Sequence, residues 1–96
     1  KALQEKTARA GFAIYQEITD CMDKGMSPSS EEVQLLIKKH YAFSEQFHNL
    51  SKEVYRALAE LYREHPAFRK QLDSVHCDLP DFIAKAMVWF ADHNLD

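Results

Sequence analysis

Apolar residues recur three and four apart along most of this chain, and the breaks between the runs predict five helices. The first run is Leu3, Thr7, Ala10, Ile14, Ile18 and Cys21 with Met22. Polar residues such as Glu5, Arg9, Glu17 and Asp20 fall between them, so a helix is expected from about Ala2 to Lys24. Gly11 inside this pattern predicts a close helix crossing, and Gly25 is placed to end the helix. Ser29 with Glu32 three residues later has the spacing of a capping box, so a second helix should begin there. Its inward face reads Val33, Leu36, Ile37, His40, Phe43, Ser44 and Phe47. Ser51 is the expected cap of a third helix, with Val54, Tyr55, Leu58, Leu61 and Tyr62 facing inward. Pro66 has a fixed φ and no N–H. It breaks that helix and suits the first turn of a short fourth one, about Pro66 to Val75. Tyr62 and Phe68 should meet across the corner. Asp78 is placed to cap a fifth helix with Pro80 in its first turn. Its stripe is Leu79, Phe82, Ile83, Ala86, Met87 and Phe90, flanked by Trp89.

The prediction is therefore an all-α protein with residues 1–96 forming one domain, a length that supports one core. The net charge is −3 and the basic residues form only short pairs, Lys38-Lys39 and Arg69-Lys70. Nucleic-acid binding by this segment alone is disfavoured on that ground. No apolar run approaches the length of a membrane span. The first residue is Lys rather than Met, which reads as a piece of a longer protein. Cys21 and Cys77 are far apart and form no C-x-x-C motif. Cys21 sits on an apolar stripe as a buried thiol would. Two free thiols in a reducing cytoplasm is the preferred reading, with a Cys21–Cys77 disulfide as the alternative.

Candidate chemistry is sparse. Glu45-x-x-His48 has the short spacing of di-iron bundles, and Asp73-x-x-His76 is a looser echo. At about 100° per residue, Glu45 lies away from the stripe that holds His40, so no inward metal set forms. There is no closed zinc spacing, no phosphate-cradling Gly-rich loop and no nucleophile-elbow motif. A haem reading would rest on an inward His alone, in a chain short for enclosing a porphyrin. No enzyme activity, cofactor or metal is expected. What stands out is aromatic side chains on faces that should turn toward one another. They suit either an ordinary core or an apolar pocket with a few polar groups.

Several stretches then carry a resemblance. They are His40, Tyr55, Leu58-Ala59-Glu60-Leu61-Tyr62, His65-Pro66-Ala67-Phe68 and Leu72-Asp73, continued by Leu79, Phe82, Ala86-Met87 and Phe90-Ala91. Together with the Gly25–Ser30 turn, the pattern resembles the TipAS antibiotic-recognition domain over roughly Ala10 to Ala91. The resemblance implies a globin-like helical arrangement without haem. It implies a multidrug-sensing effector domain of a MerR-family transcription activator, whose DNA-binding and dimerising parts precede this domain. DNA contact would come only through that part, and the full-length parent would be a cytoplasmic homodimer. Some relatives are stand-alone proteins that sequester a toxic compound. The founding member captures thiopeptides and bonds them through a cysteine that should fall between His40 and Leu58. No cysteine stands there, so the expected binding is non-covalent. The expected ligand is a hydrophobic, antibiotic-like small molecule. The candidate lining is His40, Tyr41, Phe43, Phe47, Tyr55, Tyr62, Trp89 and Phe90, with His40 as polar anchor. The alternative is a helical protein-interaction module whose aromatic face docks a partner helix.

Overall fold

The computed structural model describes residues 2–46 and 49–95, with side chains from residue 11 onward. It contains α1 (Ala2–Asp23), α2 (Glu31–Glu45), α3 (Lys52–Glu64), α4 (Pro66–Asp73) and α5 (Leu79–Asn94). No strand occurs among the described residues. Phe47 and His48 lie outside them, as do the side chains of Leu3, Thr7 and Ala10.

The helix ends follow local chemistry. Gly25 has φ +79, the left-handed region that costs glycine least. Met26 N–H donates to Cys21 O at 3.1 Å and Gly25 N–H to Met22 O at 3.0 Å. Those two bonds form a Schellman ending, which satisfies carbonyls the helix leaves open. The start of α2 differs from the expected capping box by one residue. Ser30, not Ser29, has the extended backbone of a cap, and its Oγ accepts from Val33 N at 3.4 Å. Ser29 Oγ instead meets Ser27 Oγ at 3.3 Å in the preceding turn. At the start of α3, Ser51 Oγ accepts from Val54 N at 3.2 Å. Tyr41 pins the break before it by donating to Leu50 O at 2.7 Å.

His65 ends α3 and begins α4, and its Nδ1 accepts the Ala67 N–H at 3.3 Å. Pro66 takes the first turn of α4. The Tyr62 and Phe68 rings meet across this corner with centroids 5.7 Å apart. Asp78 stands at the cap position of α5 but makes no side-chain cap. Its own N–H donates to His76 Nδ1 at 3.0 Å, so His76 holds the turn instead.

Helix α5 packs against all four other helices. Its buried residues run from Leu79 and Pro80 through Ile83, Ala84, Ala86 and Met87 to Phe90 and Ala91, with Asp81, Lys85 and Asp92 on its exposed side. Its three alanines admit close neighbours. The line of α3 that is buried is Tyr55, Ala59 and Tyr62. Val54 and Leu61, expected inward, are 45% and 43% exposed. The opposite flank of α3 explains the rotation. Arg56 pairs with Asp92 of α5 at 3.3 Å and Arg63 with Asp81 at 3.6 Å, so that flank lies along α5. Val54 and Leu61 are thereby turned outward. These exposed pairs contribute little energy. Ala59, between them on α3, is fully buried.

Elsewhere, Ile14 and Ile18 of α1 and Val33 and Ile37 of α2 complete the core. A Cβ on Gly11 would lie 3.7 Å from the Phe43 ring, which is where α1 and α2 approach. Cys21 is buried and Cys77 exposed, and both are free thiols. No described helix is long and apolar enough to cross a membrane.

Candidate functional site

The main polar feature of the interior is a hydrogen-bonded chain of three phenols and one imidazole. His40 is 2% exposed, at the middle of α2. Its Nδ1 meets the Tyr55 hydroxyl at 2.9 Å and its Nε2 the Tyr62 hydroxyl at 3.1 Å. Tyr55 and Tyr62 are seven apart on α3, two turns along one face, so both hydroxyls reach the same ring. Tyr15 of α1 then donates to the Tyr62 hydroxyl at 3.4 Å. Three helices are thus joined through four side chains. Ring packing reinforces the joint, with Tyr62 edge-on to His40 at 5.7 Å and Tyr15 tilted at 6.2 Å.

The electrostatics of this chain follow from burial. Burial holds the His40 imidazole down to about 4, with no carboxylate against it among the described residues. The ring is neutral at physiological pH, with one nitrogen donating and the other accepting. Burial pushes the Tyr55 and Tyr62 phenols far up and raises Tyr15 as well. All four groups are uncharged, which is the condition for tolerating them inside.

Residue by residue, the Tyr15 end of the chain is the less enclosed one, although burial raises its phenol too. Tyr15 is only partly buried, whereas Tyr55 at the other end is fully enclosed. Large exposed apolar side chains gather beside that end. Phe12 lies one turn before Tyr15 and is 48% exposed. Phe68, 37% exposed, packs on the Tyr62 ring. Exposed apolar side chains grouped on one face are a usual mark of an interaction site.

The eight residues marked by sequence divide among several places. His40, Tyr41, Tyr55, Tyr62 and Phe90 come together in one ring cluster, with Tyr41 on Tyr55 at 5.0 Å and on Phe90 at 5.4 Å. His40, Tyr55, Tyr62 and Phe90 are buried there and Tyr41 is half-buried. Phe43 lies toward α1 at Gly11, and Phe47 is outside the described residues. Trp89 stands on the outer side of α5, its ring stacked on His93 at 3.8 Å. It edges two surface grooves. One, of about 510 Å³ between α3 and α5, is lined by charged residues such as Arg56, Glu60 and Lys85. The other, of about 370 Å³ between α2 and α5, includes Leu35, Phe90 and Gln34. Gln34 donates to Pro28 O at 2.8 Å and Ala86 O at 3.1 Å, while its buried Oε1 has no partner.

Tyr15, Phe12 and Phe68 are not among the residues the sequence marks for the site. The apolar stripe of α1 runs through Ile14 and Ile18, with Tyr15 one step outside it. The available signal was a tyrosine at the edge of a buried stripe, the position from which a hydroxyl can reach a neighbouring core. Among the described residues one group could hold a metal ion, His76 with Cys77 and Asp78 in the α4–α5 turn. Its His76 Nδ1 is engaged by the Asp78 N–H.

An all-helical domain with a partly enclosed aromatic and hydroxyl-bearing core is a common frame for a ligand-binding module. The family model of the TipAS antibiotic-recognition domain matches residues 1–90, and the chain belongs to that family. No curated protein and no solved structure matches the chain.

Proposed function

We propose that this domain senses a large hydrophobic, antibiotic-like molecule by non-covalent binding and performs no catalysis. It would serve as the cytoplasmic effector unit of a MerR-type transcription activator, dimeric in its full-length form and contacting DNA through another part. The observation that carries this reading is the family match across nearly the whole chain. The face around Tyr15, Tyr62 and Phe68 is our assignment for the ligand, because exposed aromatics there adjoin buried hydroxyls. The thiols support non-covalent capture, with the exposed Cys77 lying away from the 40–58 stretch, in the turn between α4 and α5. Residues 40–58 contain no cysteine, and Cys21 is buried with its thiol pushed up by burial and by Glu32. Ligand that prefers the closed arrangement of α1 against α3 shifts the parent toward its active state. Stand-alone sequestration would use the same binding without the DNA-bound part.

The test is a titration with a panel of large hydrophobic antibiotics, thiopeptides included, read by Trp89 fluorescence and by melting temperature. A ligand at a hundred times its Kd stabilises the fold by about 2.7 kcal/mol. For a domain of this size that raises Tm by roughly 10 °C or more. Phe68→Ala should weaken binding at least tenfold with little change in Tm, since Phe68 is over a third exposed. Loss of binding in Trp89→Ala but not in Phe68→Ala would move the site to the grooves beside Trp89. Failure of every compound with well-folded protein would favour a module that docks a partner helix.

A further inference from the structure

The turn between α4 and α5 gathers donor atoms of three kinds. A ring nitrogen of His76, the Cys77 Sγ and a carboxylate oxygen of Asp78 all lie within 4.8 Å of one another. Cys77 is an exposed free thiol. Asp78 stands at the cap position of α5, yet its carboxylate makes no cap bond. His76 holds the turn in its place, its Nδ1 accepting the Asp78 N–H at 3.0 Å. A backbone N–H can only donate, so Nδ1 presents its lone pair and a neutral ring carries its hydrogen on Nε2. From a different element, Asp23 at the end of α1 sets Oδ1 4.0 Å from that Nε2. A carboxylate at one ring nitrogen and a lone pair on the other is how metal-binding imidazoles are commonly arranged.

We propose that this turn binds one divalent ion of the zinc class. Its ligands are His76 Nδ1, Cys77 Sγ and one Asp78 oxygen, with water in the fourth position, and Asp23 is a positioning residue for the ring. Thiolate, imidazole and carboxylate together suit zinc, whereas magnesium and calcium favour oxygen alone. Bonds of about 2.0–2.3 Å hold tetrahedral ligands roughly 3.3–3.8 Å apart, so the donors close by roughly 1 Å. The exposed Cys77 and Asp78 side chains close by rotating. The half-buried His76 turns its ring enough to release the Asp78 N–H to solvent. One exposed hydrogen bond is thereby exchanged for a metal bond. The Cys77 thiol gives its proton to solvent on binding, so affinity rises with pH. The ion fastens the turn that starts α5 and, through Asp23, ties it to the end of α1. The site is independent of where the domain takes an antibiotic.

Cobalt(II) is the spectroscopic probe and zinc(II) its competitor, added to the full chain without an affinity tag and kept reduced. One equivalent of cobalt should give a near-ultraviolet thiolate-to-cobalt charge-transfer band, and zinc should displace it. Cys77→Ser should remove the band and weaken zinc by more than roughly tenfold, because the softest ligand is gone. Asp23→Asn should keep the band and weaken zinc about tenfold, as loss of a partner behind a metal-bound histidine does. Cys21→Ala should leave both readouts unchanged. Cys77 and Asp23 are exposed, so the metal-free Cys77→Ser and Asp23→Asn variants should melt with the wild type. No charge-transfer band at saturating cobalt would overturn the proposal, as would a band that survives Cys77→Ser. One ion per two chains would overturn it too, because the donors of one turn would then not suffice. Wild-type zinc affinity in Asp23→Asn would overturn the positioning role of Asp23.

Discussion

Lowering the pH should destabilise this fold through His40 before other buried groups of the site are affected. The unfolded chain takes up a proton on this side chain near 6.5, while the folded chain does so only near 4. Between those values the unfolded state binds a proton that the folded state refuses, so stability falls as pH falls. Above 6.5 both states are neutral and the effect vanishes; below about 4 both are charged and the loss levels off. The slope is about 1.4 kcal/mol per pH unit, and the full window is worth roughly 3 kcal/mol. Almost no solvent screening applies, because His40 is 2% exposed. The groups that face it are the phenols of Tyr15, Tyr55 and Tyr62, from α1 and α3, and all three are pushed upward by burial. None supplies a negative charge to rescue the imidazolium. Against a typical stability of roughly 5–15 kcal/mol, the loss is large. Urea unfolding across this pH range, in the chain and in His40→Gln, isolates the term because all other titrating groups are shared. The wild-type curve should lose about 2 kcal/mol more than the variant between neutral pH and about pH 5. Parallel curves would refute the argument, as would a folded-state His40 titration near 6.5 by NMR.

The remaining expectations concern stability and are read from melting or denaturant curves. Gly25→Ala should cost about 1–2 kcal/mol, because φ +79 penalises any Cβ even though open space surrounds it. Gly11→Ala should instead stabilise by roughly 0.5–1 kcal/mol. Its Cβ meets the Phe43 ring at 3.7 Å, an ordinary contact. Ser30→Ala should cost about 1 kcal/mol and Ser29→Ala a small fraction of that, since only Ser30 caps α2. Tyr41→Phe should cost about 1 kcal/mol by orphaning Leu50 O, lowering Tm by roughly 4–8 °C.

The five helices were readable because their signals are local. Spacing of apolar residues, a glycine at a left-handed position and prolines in first turns act within a few residues. The Pro66 corner with its Tyr62–Phe68 contact was readable for the same reason. Local ambiguity misplaced the α2 cap, where two serines stand side by side and only backbone angles separate Ser30 from Ser29. The resemblance visible in the sequence agrees with the family to which residues 1–90 belong.

Which residues share a site was decided elsewhere. Helical periodicity gives the faces of one helix but not the angle at which the next one meets it. With Arg56 and Arg63 laid along α5, the setting of α3 turned Tyr55 and Tyr62 toward His40 and left Val54 and Leu61 outside. Trp89 went to the surface because α5 had already spent its buried arc on Met87, Phe90 and Ala91. Tyr15 joined the imidazole from 25 residues upstream, a pairing that no local pattern encodes. Sequence by itself determined the helices and the polar member of the core. Only the packing of α1, α2 and α3 around α5 decided that this histidine would stand between two hydroxyls, with a third bonded to one of them, because side-chain hydrogen bonds between helices depend on relative orientation in space and not on order along the chain.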